Sequence, residues 1–318
     1  MKINRTRVIN FYANNILYSR IRRQIKRFVT IHLKSADQTV HIESTDNPPI
    51  IVIGMHRSGT TLLSRLLRKS GVQMGWLKGN DTDESLFFQN INKSLFRIAH
   101  SYWDEPKAFK YALQNDRFKS AAVNAVSSFL KTSSSFFYFG KLRKKEKGFS
   151  TIPFRWGWKD PRNTYSLPIW LSLFPNAKVI FIYRNGLDVA NSLYTRNEKL
   201  LKNSAVSVGC LTLEGAFKIW EEYNTECLES VSKLHATNIH TIKYEDLIQN
   251  PVELISQIHN FLEIKLSEKN IQEIASGVRK DRAYNFVIKP ELMDLYYKTR
   301  GSKLVEEFGY NNIPGLSD

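Results

Sequence analysis

A glycine-spaced loop between a buried strand and a helix constrains the fold of this chain more than any other segment. Residues 50–53 (IIVI) are consecutive apolar, mostly β-branched residues, a pattern typical of a parallel strand covered on both faces. Gly54 and Gly59 follow with four residues between them, and leucines at helical spacing then continue to Gly71. Because backbone N–H groups face an anion in this arrangement, the sequence predicts a phosphate-binding site.

The same order of elements recurs further along the chain. Residues 178–183 (KVIFIY) predict a second strand, and residues 184–186 (RNG) predict the loop before its helix. A third strand is predicted over residues 239–243, and Asn250 with Pro251 indicates the start of another helix. Strands that alternate with helices predict an α/β fold, a P-loop-like parallel sheet flanked by helices.

Positive charge is concentrated at the N-terminus. The chain has a formal net charge of +16, from 46 basic and 30 acidic residues, and residues 1–34 hold nine of the basic residues and none of the acidic ones. This excess favours anionic partners, although charge alone does not choose among them. We predict that residues 1–48 form a basic arm and linker, and that residues 49–318 form one α/β domain.

Residues 17–29 predict a basic amphipathic helix within the arm. Its apolar face consists of Leu17, Ile21, Ile25, Phe28 and Val29, and its basic face of Arg20, Arg22, Arg23, Lys26 and Arg27. Two interpretations stay open. The helix could dock on an anionic membrane surface, or it could pack on the domain and keep its charged face in solvent.

Other sequence features indicate a cytoplasmic protein without a metal. The two cysteines, Cys210 and Cys227, are too few for a disulfide framework, and neither they nor the seven histidines have metal-ligand spacing. We find no apolar run long enough to span a bilayer and no signal peptide. Peripheral membrane contact through the arm remains the open alternative.

The glycine loop lacks the lysine of nucleotide triphosphatases. In those proteins Lys and then Ser or Thr follow the second glycine, whereas Thr60 and Thr61 stand here. Since that lysine and Mg²⁺ bridge the β- and γ-phosphates, its absence argues against a kinase or a GTPase. Arg57 can supply the missing charge, and the hydroxyls of Ser58, Thr60 and Thr61 can donate to the same anion.

These residues resemble the sulfotransferases that use 3′-phosphoadenosine 5′-phosphosulfate (PAPS). Residues 57–62 (RSGTTL) are similar to that family's 5′-phosphosulfate loop, and residues 184–192 (RNGLDVANS) are similar to its 3′-phosphate segment. Two phosphate sites imply a bisphosphorylated nucleotide. The donor contacts that the resemblance implies are Arg57, Ser58, Gly59, Thr60 and Thr61 at one end, and Arg184 and Ser192 at the other.

Further segments resemble the tyrosylprotein and bacterial carbohydrate-type branch. Residues 158–161 (WKDP) are similar to a stretch whose lysine lies near the sulfuryl group, which implies this role for Lys159. Residues 244–247 (YEDL) and 287–290 (VIKP) resemble later nucleotide contacts. The additional nucleotide-binding candidates are Tyr244, Lys289 and Arg196.

One position departs from the tyrosylprotein branch. The glutamate that follows its glycine loop at a fixed distance is replaced here by Lys78, and the nearest acids are Asp81, Asp83 and Glu84. The acceptor class therefore stays open among a carbohydrate, a glycolipid, a small alcohol and a tyrosyl peptide.

The resemblance implies transfer of a sulfuryl group from PAPS to an acceptor hydroxyl, with release of 3′-phosphoadenosine 5′-phosphate (PAP) and without a metal. The reaction needs positive charge around the sulfur, which Arg57 and Lys159 can supply; Lys159 could instead form a structural ion pair with Asp160. Trp156 and Trp158 could stack on adenine or line the acceptor cleft, with core packing as the alternative.

The reaction also needs a base for the acceptor's proton. We predict Glu84, which opens the helical stretch 85–99, although an acid there is also a favourable partner of the helix dipole. His56 and His100 are the alternatives.

Two other classes of function compete with this interpretation. A metal-dependent P-loop phosphotransferase keeps the loop but needs the missing lysine. A non-catalytic basic protein for membranes or nucleic acid leaves the paired anion loops unexplained, so no nucleic-acid partner is predicted.

Overall fold

The computed structural model describes residues 16, 18–24, 26–27, 47–79, 82–140, 149, 152–201, 206–280 and 283–313. Its strands are β1 (Ile50–Ile53), β2 (Gly157–Lys159), β3 (Lys178–Tyr183) and β4 (Ile239–Lys243). They form one sheet in the order β2-β1-β3-β4. Strands β1 and β2 run parallel, with Ile50 opposite Gly157 and Val52 opposite Lys159.

The α-helices connect and follow these strands. They are α1 (Thr60–Lys69), α2 (Leu86–Ile98), α3 (Lys107–Ala112), α4 (Asp116–Leu130), α5 (Phe136–Phe139), α6 (Asn163–Leu173), α7 (Gly186–Leu201), α8 (Leu213–Val231), α9 (Tyr244–Gln249), α10 (Pro251–Phe261), α11 (Glu268–Ser276), α12 (Pro290–Thr299) and α13 (Lys303–Glu307). Single 3₁₀ turns lie at Ser133–Ser135, Val208–Cys210, Ala236–Asn238 and Asn285–Ile288.

This arrangement confirms the predicted α/β fold. The predicted strands are β1, β3 and β4, and α1 and α7 follow β1 and β3 through the predicted loops. The sequence does not predict β2, because three residues are too few for a periodic signal. Gly157 lets β2 pair with β1, since a Cβ there would lie 2.2 Å from the Ile50 carbonyl oxygen.

The chain divides into two compact units, and the first contains Met1–Ile53 and Leu63–Val179. Aromatic rings dominate its core: the ring of Phe88 on α2 stacks on Trp158 at 3.9 Å and meets Trp170 edge-on at 5.4 Å. Trp156 and Trp158 are both fully buried. Core packing, the alternative interpretation of these two tryptophans, is therefore the one observed.

Part of the N-terminal arm packs within the first unit. Residues 16, 18–24 and 26–27 are helical, Ile21 is fully buried, and Arg20 Nη2 donates to Ser133 Oγ at 3.5 Å. The predicted apolar residues Leu17, Ile25, Phe28 and Val29 lie outside the described residues. Within the part of the chain that the structure describes, no helix is long and apolar enough to cross a membrane.

The second unit contains Gly54–Leu62 and Ile180–Asp318. Its core includes the rings of Tyr183 and Phe308, stacked at 4.1 Å, and Trp220 on α8, which is fully buried and donates from Nε1 to the Arg184 carbonyl at 2.9 Å. This packing holds the segment after β3 in place. The division into an arm over residues 1–48 and one domain over residues 49–318 stays a prediction.

Candidate active site

The glycine loop of residues 54–61 has a backbone that most side chains could not adopt. Gly54 has a φ of +135° and Gly59 a φ of +91°, and a Cβ on Gly59 would lie 2.3 Å from the Tyr244 ring. Arg57 takes a φ of +70°, which is unfavourable for a residue with a Cβ and is concentrated at functional sites in proteins. The loop is therefore held in a strained conformation close to Tyr244.

Ser58 carries a buried hydroxyl whose hydrogen-bonding capacity is unused. The residue is fully buried, and its Oγ has no hydrogen-bond partner among the described residues. Its neighbour Thr60 begins α1, a ten-residue helix whose N-terminus favours negative charge. A buried hydroxyl without a partner is costly, so these groups fit an anion that accepts from them.

The structure brings the two predicted anion-binding motifs together in the second unit. Arg57 Nε donates to Ser192 Oγ at 2.7 Å, and Arg184 Nη1 donates to the Arg57 carbonyl oxygen at 3.4 Å. Ser192 lies on α7, two turns beyond Arg184, as its eight-residue spacing predicts. Residues 57 and 184 thus meet although 127 positions separate them.

Arg184 is held from two further sides. Its Nη2 donates to Asp188 Oδ2 at 2.9 Å, and its guanidinium lies over the Tyr244 ring, 4.7 Å from the centroid. Asp188 is 3% exposed, and its other oxygen, Oδ1, accepts from the Phe286 backbone N–H at 3.0 Å. Asp188 is not among the residues predicted from the sequence, although its position four residues after Arg184, in the first turn of a predicted helix, was a usable signal.

The two remaining nucleotide-binding candidates differ in their surroundings. Lys289 Nζ donates to Asn191 Oδ1 at 3.5 Å, which places it next to Ser192 along α7. Arg196 is exposed, and it makes no hydrogen bond or ion pair with another described residue. Lys289 therefore lies beside Ser192, while Arg196 lies about one helical turn beyond Ser192 on α7 with its side chain exposed.

A second buried acid, also missed in the sequence, fixes the corner after β3. Glu245 is 1% exposed; its Oε1 accepts from the Asn185 N–H at 3.0 Å and its Oε2 from the Tyr310 hydroxyl at 2.6 Å. Burial raises the pKa of the Glu245 carboxyl, while these hydrogen bonds partly oppose the change. Glu245 accepts a hydrogen bond from the residue that follows Arg184, so it stabilises the position of the segment that carries Arg184.

In the first unit, Lys159 and Glu84 form a buried ion pair. Lys159 Nζ lies 3.1 Å from Glu84 Oε1 and donates to the Thr82 carbonyl at 2.6 Å; Gln89 Nε2 donates to Glu84 Oε2. Burial alone would raise the pKa of Glu84, but the charges of Lys159 and Arg162 outweigh it and lower the pKa. The carboxyl is therefore ionised at neutral pH.

The charged residues next to this ion pair have other partners than the sequence suggested, since Lys159 pairs with Glu84 rather than with Asp160. Asp160, which follows Lys159, pairs with Arg162 at 2.9 Å, and its pKa is raised by burial although Arg162 opposes the change. Lys78, which stands where the tyrosylprotein branch has its glutamate, pairs with Asp83 at 2.6 Å. The structure thus brings Glu84, and not Lys78, to the predicted catalytic lysine.

The alternative bases lie elsewhere. The ring of His56 meets Tyr223 at 6.5 Å in the second unit, and His100 is exposed at the end of α2 with a φ of +54°. Asp81 lies outside the described residues. No group of His, Cys, Asp and Glu in the described ranges has the arrangement of a metal site.

A glycine loop at a helix N-terminus with two arginines beside it is the arrangement expected of an α/β protein that binds an anion. The chain belongs to the sulfotransferase family, whose sequence profile matches residues 48–268. This match confirms the family predicted from the motifs.

Two individual relatives match this chain, and one of them is named as a sulfotransferase. The chain is 27% identical over 229 residues to an "Uncharacterized protein" of Aquifex aeolicus (strain VF5), a match that covers 70% of this chain and 26% of that protein. It is 29% identical over 116 residues to a "Putative protein-tyrosine sulfotransferase" of Caenorhabditis elegans, covering 36% of this chain and 42% of that one. The chain thus spans less than half the length of these two relatives.

A solved structure, the sulfotransferase domain from the curacin biosynthetic pathway, is 20% identical with a TM-score of 0.47, covering 76% of this chain and 81% of that chain.

Proposed function

We propose that this protein transfers a sulfuryl group from PAPS to an acceptor hydroxyl and releases PAP. Membership of the sulfotransferase family supports sulfuryl transfer. The observation that carries the choice of donor is the contact of Arg57 with Ser192 and Arg184. It brings one arginine from each predicted phosphate-binding motif close enough for a single bisphosphorylated nucleotide to reach both.

In the proposed reaction the acceptor oxygen attacks sulfur and forms an O–S bond. The bond between sulfur and the bridging oxygen of the 5′-phosphate breaks, and its electron pair leaves with PAP. The acceptor's proton passes to a base. As in phosphoryl transfer, positioning and electrostatic stabilisation supply most of the acceleration.

The residues of the second unit are proposed to bind the donor. Those for the 5′-phosphosulfate are Arg57, Ser58, Gly59, Thr60 and Thr61, and those for the 3′-phosphate end are Arg184, Ser192, Arg196, Tyr244 and Lys289. The buried hydroxyl of Ser58 supports this assignment because an anion would supply its missing acceptor. The strained backbone of Arg57 supports it as well.

Lys159 and Glu84 are proposed to act on the acceptor and the transferred group. A general base must start deprotonated, and the lowered pKa of Glu84 meets that condition at neutral pH. Lys159 supplies positive charge that can stabilise the transferred oxygens. Since both side chains are buried and joined, each also positions the other.

Binding of PAP in the absence of Mg²⁺ tests the choice of donor. Isothermal titration with PAP and with ATP·Mg²⁺ should show binding of PAP only, weakened roughly 10- to 100-fold in Arg57→Ala because a charge-assisted contact is lost. Arg65→Ala, which removes an exposed arginine from α1, is the matched control and should bind PAP normally. Binding of ATP·Mg²⁺ with no affinity for PAP would establish the rival phosphotransferase.

The N-terminal arm is proposed to touch an anionic membrane surface from the cytoplasmic side. The exposure of Arg22, Arg23, Lys26 and Arg27 supports this contact. Co-sedimentation with phosphatidylserine vesicles tests it: the whole chain should bind, and a chain without residues 1–34 should not. Equal sedimentation of both would assign the exposed charge to a solvated helix face.

A further inference from the structure

A cleft of about 280 Å³ in the first unit has no part in the donor site. Three basic side chains line it, Lys93 and Arg97 from α2 and Arg162 from the turn before α6, together with the aromatic residues Tyr102, Trp103 and Tyr18. The volume is close to the lower limit of small-molecule sites, about 300 Å³. The cleft therefore suits a ligand of about one ring with its substituents.

The charges in the cleft are strongly unbalanced. None of the described residues that line it is acidic; Asp104 and Glu105 follow Trp103 in the chain but do not line it. Arg162 is paired with Asp160, whereas neither Lys93 nor Arg97 forms an ion pair with a described carboxylate. An anionic ligand would supply the missing countercharge.

Donor groups in the cleft are also unused. Lys93 Nζ makes one hydrogen bond within the described structure, to Gln89 Oε1 at 2.8 Å, although an ammonium group has three donors. Burial and the nearby charge of Arg162 lower the pKa of Lys93, and the charges of Asp160 and Glu84 oppose this change only in part. Since desolvation and repulsion disfavour this ammonium, an anion beside it would be bound favourably.

Aromatic rings form the other wall. Tyr102 is 48% exposed; its ring lies under Arg97, 4.2 Å from the guanidinium carbon, and its hydroxyl accepts from Arg97 Nη1 at 3.0 Å. An exposed ring such as that of Tyr102, whose hydroxyl is already bonded, offers apolar surface to a ligand. The cleft thus combines an apolar face with cationic donors.

A hydrogen-bonded chain joins this cleft to the predicted base. Lys93 donates to Gln89, Gln89 donates to Glu84, and Glu84 pairs with Lys159. Gln89, Lys93 and Arg97 are spaced four residues apart on α2, so they follow one face of the helix. The cleft is therefore joined to the group proposed to accept the acceptor's proton through two side chains, Lys93 and Gln89.

We propose that this cleft binds the acceptor and selects an acidic saccharide, a sugar whose ring carries a carboxylate or a sulfate ester. The proposal rests on the function proposed above. Residues from helices and loops line the cleft, with no strand edge among those described. Adding a strand to such an edge is one recurring way in which an extended peptide binds, whereas a compact ring needs no edge, so the cleft favours a compact ring over a tyrosyl peptide.

The test compares acceptors with the whole chain and PAPS. A uronate-containing oligosaccharide, its carboxyl-reduced neutral form, a sulfated neutral oligosaccharide and an acidic tyrosyl peptide are assayed with wild type, Lys93→Gln and Arg97→Gln. Lys110→Gln on α3 is the control. The ratio of kcat/KM for the charged over the neutral saccharide should fall about tenfold in each cleft variant, as the loss of one charge-assisted contact predicts, and should be unchanged in the control.

The outcomes separate this proposal from the one on which it rests. Absence of PAP binding and of any sulfate transfer would overturn the proposed function. Normal PAP binding in the variants shows that they fold. Equal use of charged and neutral saccharides by the wild type, or a preference for the peptide, would then overturn only the proposal that the acceptor is an acidic saccharide. Titration of the uronate oligosaccharide without PAPS gives a second readout: binding lost in Arg97→Gln supports the cleft, and no binding to the wild type contradicts it.

Discussion

Asp188 is expected to position Arg184 for the nucleotide and to join it to the segment that carries Lys289. One carboxylate oxygen accepts from Arg184 Nη2 at 2.9 Å, and the other accepts from the Phe286 backbone N–H at 3.0 Å. The substitution Asp188→Asn keeps the shape of the side chain but turns one of these acceptors into a donor. One of the two hydrogen bonds must therefore be lost.

The size of the effect follows from the burial of this carboxylate. It is 3% exposed, so water cannot replace the lost partner, and a hydrogen bond to a charged group contributes about 1.5 to 3 kcal/mol. We expect Asp188→Asn to lower the free energy of unfolding by about that amount. If the same contact fixes Arg184 for binding, PAP affinity should fall roughly 10- to 100-fold.

Urea unfolding and isothermal titration with PAP measure the two effects separately. Asp294→Asn on α12, which changes an exposed aspartate, should alter neither. The alternative is that Asp188 competes with the nucleotide for Arg184, so that removing its charge frees the guanidinium. Tighter PAP binding by Asp188→Asn would establish that alternative and refute the positioning role.

Three further changes have distinct expected results. Gly59→Ala should abolish PAP binding in a titration, because the new Cβ would meet the Tyr244 ring at 2.3 Å. Ser58→Ala should weaken PAP binding about tenfold yet leave the melting temperature equal or higher, since it removes a buried hydroxyl without a partner; a lower melting temperature would contradict this. Glu84→Gln should lower kcat about 100-fold with unchanged PAP affinity. Because folding lowers the pKa of Glu84, its ion pair with Lys159 stabilises the protein above the ordinary glutamate pKa, and this stabilisation is lost as the pH falls through the pKa of the folded state. Acid unfolding of Glu84→Gln should lack this loss of stability.

Features encoded in short stretches of sequence were predictable. The apolar runs of β1 and β3 predicted the bounds of these strands directly, residues 239–243 were predicted as the strand that is β4, and the glycine spacing located the loop before α1. The family followed from the same loop and the segment after β3. Pro251 begins α10 as expected, but the Asn250 side chain does not cap that helix, because a capping contact depends on the local backbone angles.

Pairings over long sequence separations were not predictable. Strand β2 is defined by its pairing with β1, and Lys159 forms an ion pair with Glu84 although 75 positions separate them in the sequence. Nothing in the sequence next to either residue indicates that Asp160 pairs with Arg162 while Lys159 pairs elsewhere. Tertiary packing decides such contacts, since adjacent acids and bases compete for the same partners.

The most direct test of the account compares PAP with adenosine 5′-monophosphate, which lacks the 3′-phosphate. If Arg184 binds that phosphate, wild type should prefer PAP, and Arg184→Ala should lose most of this preference while its weaker affinity for the monophosphate stays the same. A preference for PAP that persists undiminished in Arg184→Ala would contradict the claim that the two arginines hold opposite ends of one nucleotide.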